Sequence, residues 1–155
     1  MNIAFTFTAL TAALVIGHSQ AFAQSPPVQQ SGGVTRSAGA RFEALSSDQR
    51  VLLGELGFGA LTLDAYYRIL SSGNGPPNNL LGVDNVTREK LGVSFSEALP
   101  QLQKLTGRDI PAEAEKMVRA AIDKLGGLQS DRMKKWVELF TNIHMANLQK
   151  LQEVK

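Results

Sequence analysis

The side chain best suited to chemistry is His144, near the end of the chain. It stands four residues from Phe140 and four from Leu148, so on a helix all three would share one apolar face. An imidazole in that setting can sense pH, bind a metal ion or act as a general base. No Glu-x-x-His or His-Glu-x-x-His pattern accompanies it. We therefore expect a partly buried histidine that hydrogen-bonds to a neighbour.

The other ionisable residues are spaced as ion pairs on helix surfaces. The pairs four residues apart are Glu115 and Arg119, Arg119 and Asp123, Asp131 and Lys135, and Lys134 and Glu138. Such pairs are solvated and add a few tenths of a kcal/mol each. The sequence has no cysteine, which excludes disulfides, thiolate metal sites and a cysteine nucleophile. We predict no catalytic residue, no metal site and no cofactor, and hence a protein that is not an enzyme.

Charge gives no indication of a nucleic-acid partner. The chain carries 16 basic and 14 acidic residues, a net charge of +2, whereas nucleic-acid binders concentrate basic residues on one face. A short basic cluster, Arg132, Lys134 and Lys135, lies beside Trp136. Acidic residues interrupt it, so we interpret it as a solvated helix face.

Three glycines, Gly54, Gly57 and Gly59, stand inside a strong helical pattern. Each costs about 1 kcal/mol relative to alanine in a helix interior, so close helix contact must compensate. That contact can be within the domain or with a partner, and we treat the three as candidate partner-contact residues. The charges at Glu55 and Asp64 argue against a membrane-inserted helix.

Helical periodicity and capping signals divide the chain into helices. The expected helices start at Ser46–Asp48, Asn85, Ser94 or Pro100, Asp109 and Ser130, and end before Gly73, Gly92, Gly107, Gly126 and the C-terminus. In the last helix the expected apolar face is Met133, Trp136, Val137, Phe140, Ile143, His144, Leu148 and Leu151. No segment alternates as a strand would. We predict an all-α fold, a small bundle of four main helices plus a short one.

The loop from Gly73 to Gly82 is the best candidate for an exposed contact element, since loops on rigid scaffolds often carry function. Leu80 and Leu81 follow two prolines there. They either meet a partner or anchor the loop to the core.

The N-terminus has the pattern of a signal peptide. An uncharged apolar stretch precedes Ala21-Phe22-Ala23, a small-x-small cleavage site. We predict a signal peptide over residues 1–23, a Ser-, Gln-, Gly- and Pro-rich flexible leader over 24–40, and a helical domain over 41–155. The expected location is secreted or periplasmic, with no membrane span after cleavage. In a eukaryotic host, Asn85-Val86-Thr87 would be a glycosylation sequence.

These observations favour an exported, non-enzymatic helical module that binds another protein or itself. The alternative is a carrier for a small apolar ligand, held in the bundle core. The expected ligand pocket would be lined by Tyr66, Tyr67, Phe95, Trp136, Phe140 and His144. A third hypothesis is an enzyme that uses His144 or isolated carboxylates.

Overall fold

The computed structural model describes residues 36–72 and 79–155. Within these ranges the protein is all-helical and has no strand, which confirms the predicted fold class. The helices are α1 (Ala38–Glu43), α2 (Ser47–Leu70), α3 (Val83–Leu91), α4 (Phe95–Thr106), α5 (Ile110–Leu125) and α6 (Asp131–Glu153), with a 3₁₀ turn at Asn79–Gly82 before α3. The predicted signal peptide and residues 24–35 of the leader lie outside the described residues.

Most helix ends lie where local signals placed them. The Ser46 hydroxyl accepts a hydrogen bond from the backbone N–H of Gln49 at 3.2 Å, and Ser130 and Asp109 cap α6 and α5 in the same way. Gly92, Gly107 and Gly126 follow α3, α4 and α5 with left-handed backbones. The caps therefore fixed these boundaries locally.

The first helix departs from the prediction. The first helix was expected to start at Ser46–Asp48, but a separate helix, α1, precedes it; α1 contains Phe42 and begins inside the segment predicted as leader. The break follows from Ser46, whose capping of α2 requires an extended backbone at that residue. The described chain thus has more α-helices than the four main and one short helix expected. The Arg41 guanidinium ties α1 to α4 by an ion pair with Glu97 at 2.7 Å.

Helix α4 begins at Phe95, with Pro100 inside it. Two carboxylates stabilise its start. Glu97 Oε2 accepts the backbone N–H of Ser94 at 3.0 Å, and Asp84 Oδ1, on α3, accepts that of Phe95 at 3.1 Å. Carboxylates at a helix N-terminus satisfy free N–H groups and interact favourably with the helix dipole.

Helices α2 and α6 form the centre of the domain and run antiparallel. The first core cluster joins the start of α2 to the end of α6; its members include Leu53, Leu56, Phe95, Leu102, Leu148 and Leu151. The second core cluster joins the end of α2 to the start of α6, and it includes Leu63, Tyr66, Val118, Met133, Val137 and Phe140. Both helices thus span both clusters, and α2 also packs along α5.

Candidate functional site

The three glycines of α2 let neighbouring elements approach its backbone. The Phe95 ring of α4 occupies the place where a Cβ on Gly57 would stand, and the Nδ1 atom of His144 lies 3.2 Å from the Cβ position of Gly59. Gly54 faces Leu102 at an ordinary 3.9 Å. Close packing inside the domain therefore accounts for Gly57 and Gly59. Gly57 is buried, so it is not itself open to a partner.

His144 is buried between α2 and the turn that precedes α3. Its side chain is 3% exposed. Its Nε2 atom lies 3.5 Å from the backbone oxygen of Leu81, a long hydrogen bond that the Nε2–H tautomer would donate. Its Nδ1 atom is buried and has no hydrogen-bond partner among the described residues. The sequence predicted a partly buried histidine bonded to a neighbour; the side chain is in fact almost fully buried, and the neighbour is a backbone carbonyl.

Burial lowers the pKa of His144 below its ordinary value of 6.5, because the charged imidazolium loses hydration in the core. The Leu81 carbonyl acts in the opposite direction, since it accepts a stronger hydrogen bond from the charged ring. Burial is the larger influence, so the neutral imidazole is the form that fits this site.

Leu80 and Leu81 have left-handed backbones, with φ of 33° and 51°, and Gly82 follows at 83°. Left-handed geometry costs a non-glycine residue about 1–2 kcal/mol. Both leucines are half-buried: Leu80 packs on the first core cluster and Leu81 on the second. They anchor this end of the loop to the core. The preceding residues 73–78 lie outside the described residues.

The residues of the expected ligand pocket come together only in part. Tyr66 and Phe140 are buried members of the second core cluster, and the half-buried Trp136 packs on the Phe140 ring with centroids 4.4 Å apart. Tyr67 lies outside them, 48% exposed and edge-on to Tyr66. Phe95 belongs to the first cluster, against Gly57. The rings thus pack as two pairs, Tyr66 with Tyr67 and Trp136 with Phe140, while Phe95 lies apart in the first cluster.

One side of α6 carries apolar side chains that remain in contact with solvent. Leu139 is 50% exposed, Ile143 is 40% exposed and Trp136 is half-buried. Spacings of three and four residues place them on one face of the helix. We call Trp136, Leu139 and Ile143 the α6 stripe. On a different face, Met145 is 58% exposed.

A cation stands beyond each end of the α6 stripe. Arg132 precedes Trp136 by one helical turn, and Lys150 follows Ile143 by two turns. Neither forms an ion pair among the described residues, although Lys150 Nζ donates to Asn147 Oδ1 at 3.4 Å. Nearby, Lys134 pairs with Asp131 at 3.6 Å rather than with the expected Glu138. The stripe therefore combines apolar area with uncompensated positive charge.

The sequence prediction for α6 was wrong at Ile143, which was assigned to the core face. The buried face is instead formed by Met133, Val137, Phe140 and His144, spaced four, three and four residues apart. The stripe runs beside that face. Leu139, which the sequence interpretation left unassigned, could have revealed the second row. With Leu139 included, the apolar residues of α6 form two adjacent rows, and together these rows cover a wider part of the helix surface than one packing face does.

Ion pairs on α2 and α5 are structural. Asp64 accepts from Arg68 Nε at 2.8 Å, Arg68 approaches Glu115 at 4.0 Å, and Glu115 also pairs with Arg119 at 2.7 Å.

In the described part of the chain, no three histidine, cysteine, aspartate or glutamate side chains cluster as metal ligands would. None of the helices described there combines the length and apolar composition of a membrane span.

Comparison with known proteins identifies no relative. No family model matches the chain, and neither the curated proteins nor the solved structures contain a significant match.

Proposed function

We propose that this protein is a binding module that recognises another protein through the α6 stripe. One observation carries the proposal: a solvent-exposed apolar row, with an unpaired cation beyond each end, runs along a helix whose adjacent face is packed in the core. Apolar area supplies affinity and flanking charge supplies orientation at protein interfaces. Because the core fixes α6, the stripe would bind as a preorganised surface.

The occupant we propose is an amphipathic helix with apolar residues at its centre and carboxylates towards its ends. Helices of this kind bind along apolar rows through residues spaced three and four apart. A second copy of α6 fits less well. In an antiparallel pair centred between Leu139 and Ile143, Arg132 would face Lys150 of the other copy, and like charges oppose such pairing.

We further propose that the module acts outside the cytoplasm, after cleavage behind Ala23. The support is the apolar segment and small-x-small site of residues 1–23, together with a cysteine-free sequence, which suits a bacterial periplasm or medium. Intact mass and N-terminal sequencing of the exported protein test this. A mature chain that begins at Gln24 is the expected result, and a full-length extracellular chain would contradict it.

Site-specific photo-crosslinking in the native host tests the interaction surface. A photoreactive amino acid at position 139 should yield a defined cross-linked protein. The same amino acid at position 145, an equally exposed site on another face of α6, should not. Reversing both flanking charges, by Arg132→Glu with Lys150→Glu, should abolish the adduct. Identical adducts from both positions, or none from position 139, would refute the proposal, and an adduct of twice the chain mass would identify a second copy as the partner.

With the partner purified, the variant Leu139→Ala measures how much the α6 stripe contributes to binding affinity. Leu139 is half-exposed, so a partner can bury about half of a leucine, worth about 1 kcal/mol. We expect affinity to fall about fivefold, and Met145→Ala to change it less than twofold. Equal effects of the two variants would place the interface elsewhere. A small apolar molecule that stays bound to the chain in native mass spectrometry would instead favour a ligand carrier.

A further inference from the structure

The contact between His144 and the turn before α3 joins a strained backbone to a buried imidazole that has one unpartnered nitrogen. Leu80 and Leu81 hold left-handed backbones that leucine rarely adopts. The Leu81 carbonyl of this pair forms a hydrogen bond with His144 Nε2. Strained backbone persists only where surrounding contacts hold it in place. The imidazole is therefore placed to control whether the turn stays packed.

The second ring nitrogen makes this contact sensitive to protonation. In the neutral ring, Nε2–H donates to Leu81 and the unprotonated Nδ1 faces the α2 backbone at Gly59. Protonation would make Nδ1 a buried hydrogen-bond donor without an acceptor, because Nδ1 has no partner among the described residues. A buried charged donor without a partner is strongly unfavourable.

Charged groups on the surrounding elements do not offset the cost of burying a protonated His144. Those within about two helical turns, or seven residues, of Gly59, Leu81 and His144 are Glu55 and Asp64 on α2, Asp84 and Arg88 on α3, and Glu138 and Lys150 on α6. No hydrogen bond or ion pair links any of them to the imidazole in the described structure. Asp64 is bonded to Arg68, while Asp84 forms an ion pair with Arg88 and accepts a hydrogen bond from the Phe95 backbone. No carboxylate is therefore in place to stabilise an imidazolium.

We propose that His144 and the Leu80–Gly82 turn form a latch that is closed when the imidazole is neutral and released when it is protonated. The charged ring donates more strongly to Leu81, but burial of the charge and of an unpartnered Nδ1–H costs more, and this drives the ring out of the core. Its departure frees the Leu81 carbonyl, lets both leucines relax from left-handed geometry and withdraws their side chains from the two core clusters. Acidification would thus expose apolar surface at one defined place while the α2–α5 contacts persist.

The pKa of His144 sets the pH range over which the latch opens. Burial holds this pKa below 6.5 in the folded protein, so the unfolded chain binds the proton more readily. The stabilisation from the neutral histidine is complete above pH 6.5 and is lost as the pH falls from there through the folded pKa. Opening therefore belongs to pH values below 6.5.

Methyl NMR of the full chain, with labelled leucine and valine, tests the latch between pH 8 and 4.5. The His144 ring resonances should titrate with a midpoint below 6.5. The Leu80 and Leu81 methyl resonances should move towards unfolded-chain positions with that same midpoint. Val118, buried in the second cluster on α5, is the internal control and should stay at its native position.

The variant His144→Gln separates the bond from its titration. A glutamine amide can still donate to the Leu81 carbonyl but does not ionise, so the leucine methyl resonances should become independent of pH. Leucine methyls that stay native in the wild-type protein while His144 titrates would overturn the latch. So would a His144 that never titrates before the whole domain unfolds, or leucine methyls that still titrate in His144→Gln.

Discussion

The substitution Gly57→Ala probes the closest packing in the domain. A Cβ at this position would come within 3.0 Å of Cε2 and Cζ of Phe95, distances that real Cβ atoms do not show. The ring is 1% exposed and lies in the first core cluster, so it has little room to retreat. Overpacking a dense core costs about 1–3 kcal/mol. Alanine recovers about 1 kcal/mol of helix propensity, and with the overpacking near its upper value we expect a net loss of about 2 kcal/mol.

Gly54→Ala is the matched control three residues earlier on the same helix. The nearest atom to its added Cβ would be Leu102 Cδ2, at an ordinary contact distance of 3.9 Å. Only the propensity gain then applies, so we expect Gly54→Ala to stabilise the domain by about 1 kcal/mol. Identical chemistry at two glycines should therefore shift stability in opposite directions.

Urea denaturation followed by circular dichroism at 222 nm measures both variants. The expected difference between them is about 3 kcal/mol, or roughly 12 °C in Tm at about 4 °C per kcal/mol for a domain of this size. In the Gly57→Ala background, Phe95→Leu should cost less than it does alone, because a smaller side chain relieves the overlap. Equal stabilisation by both alanines would refute the close approach of α4 to α2.

Three further predictions concern local interactions. The Ser94 backbone N–H donates to Glu97 and lowers the pKa of that carboxyl below 4.5; its contribution, complete above pH 4.5, should be lost as pH falls through the folded pKa, and Glu97→Gln should flatten that acid limb of the stability profile. Asp84→Ala removes the acceptor for the Phe95 N–H and should cost about 1 kcal/mol in urea denaturation, whereas Asp84→Asn, which keeps an acceptor oxygen, should cost less. Gly82→Ala meets no neighbour within 4 Å, yet its φ of 83° should make it destabilising by about 1 kcal/mol in thermal unfolding, and a stabilised variant would contradict the left-handed backbone.

Most helix ends could be predicted from the sequence because capping interactions are short-range. Ser46, Asp109 and Ser130 each satisfy an N–H three residues later, and Gly107 and Gly126 supply left-handed ends. Such signals involve partners within a few residues, so they act the same in any tertiary context. The burial of His144 was expected from its four-residue spacing to Phe140 and Leu148, whereas its hydrogen-bond partner, Leu81, was not.

The candidate surface was only partly predictable. Trp136, Ile143 and Phe140 are all apolar residues on the same helix, and the sequence pattern does not say which of them a neighbour covers. That depends on how wide a face α2 and the other helices leave exposed. The arrangement of the domain therefore decided that Ile143 is exposed while Phe140 is buried.

The sequence by itself determined the all-helical class, most helix ends and the cysteine-free chemistry, because each depends on composition or on neighbours within one helical turn. Tertiary structure decided the pairing of Gly57 with Phe95, the capping of α4 by Asp84 and the bond between His144 and Leu81, whose residues are 63 positions apart. The positions of Phe95 and His144 depend on how close the α2 backbone, at Gly57 and Gly59, lets its neighbours come. A missing Cβ permits such an approach without specifying which side chain makes it.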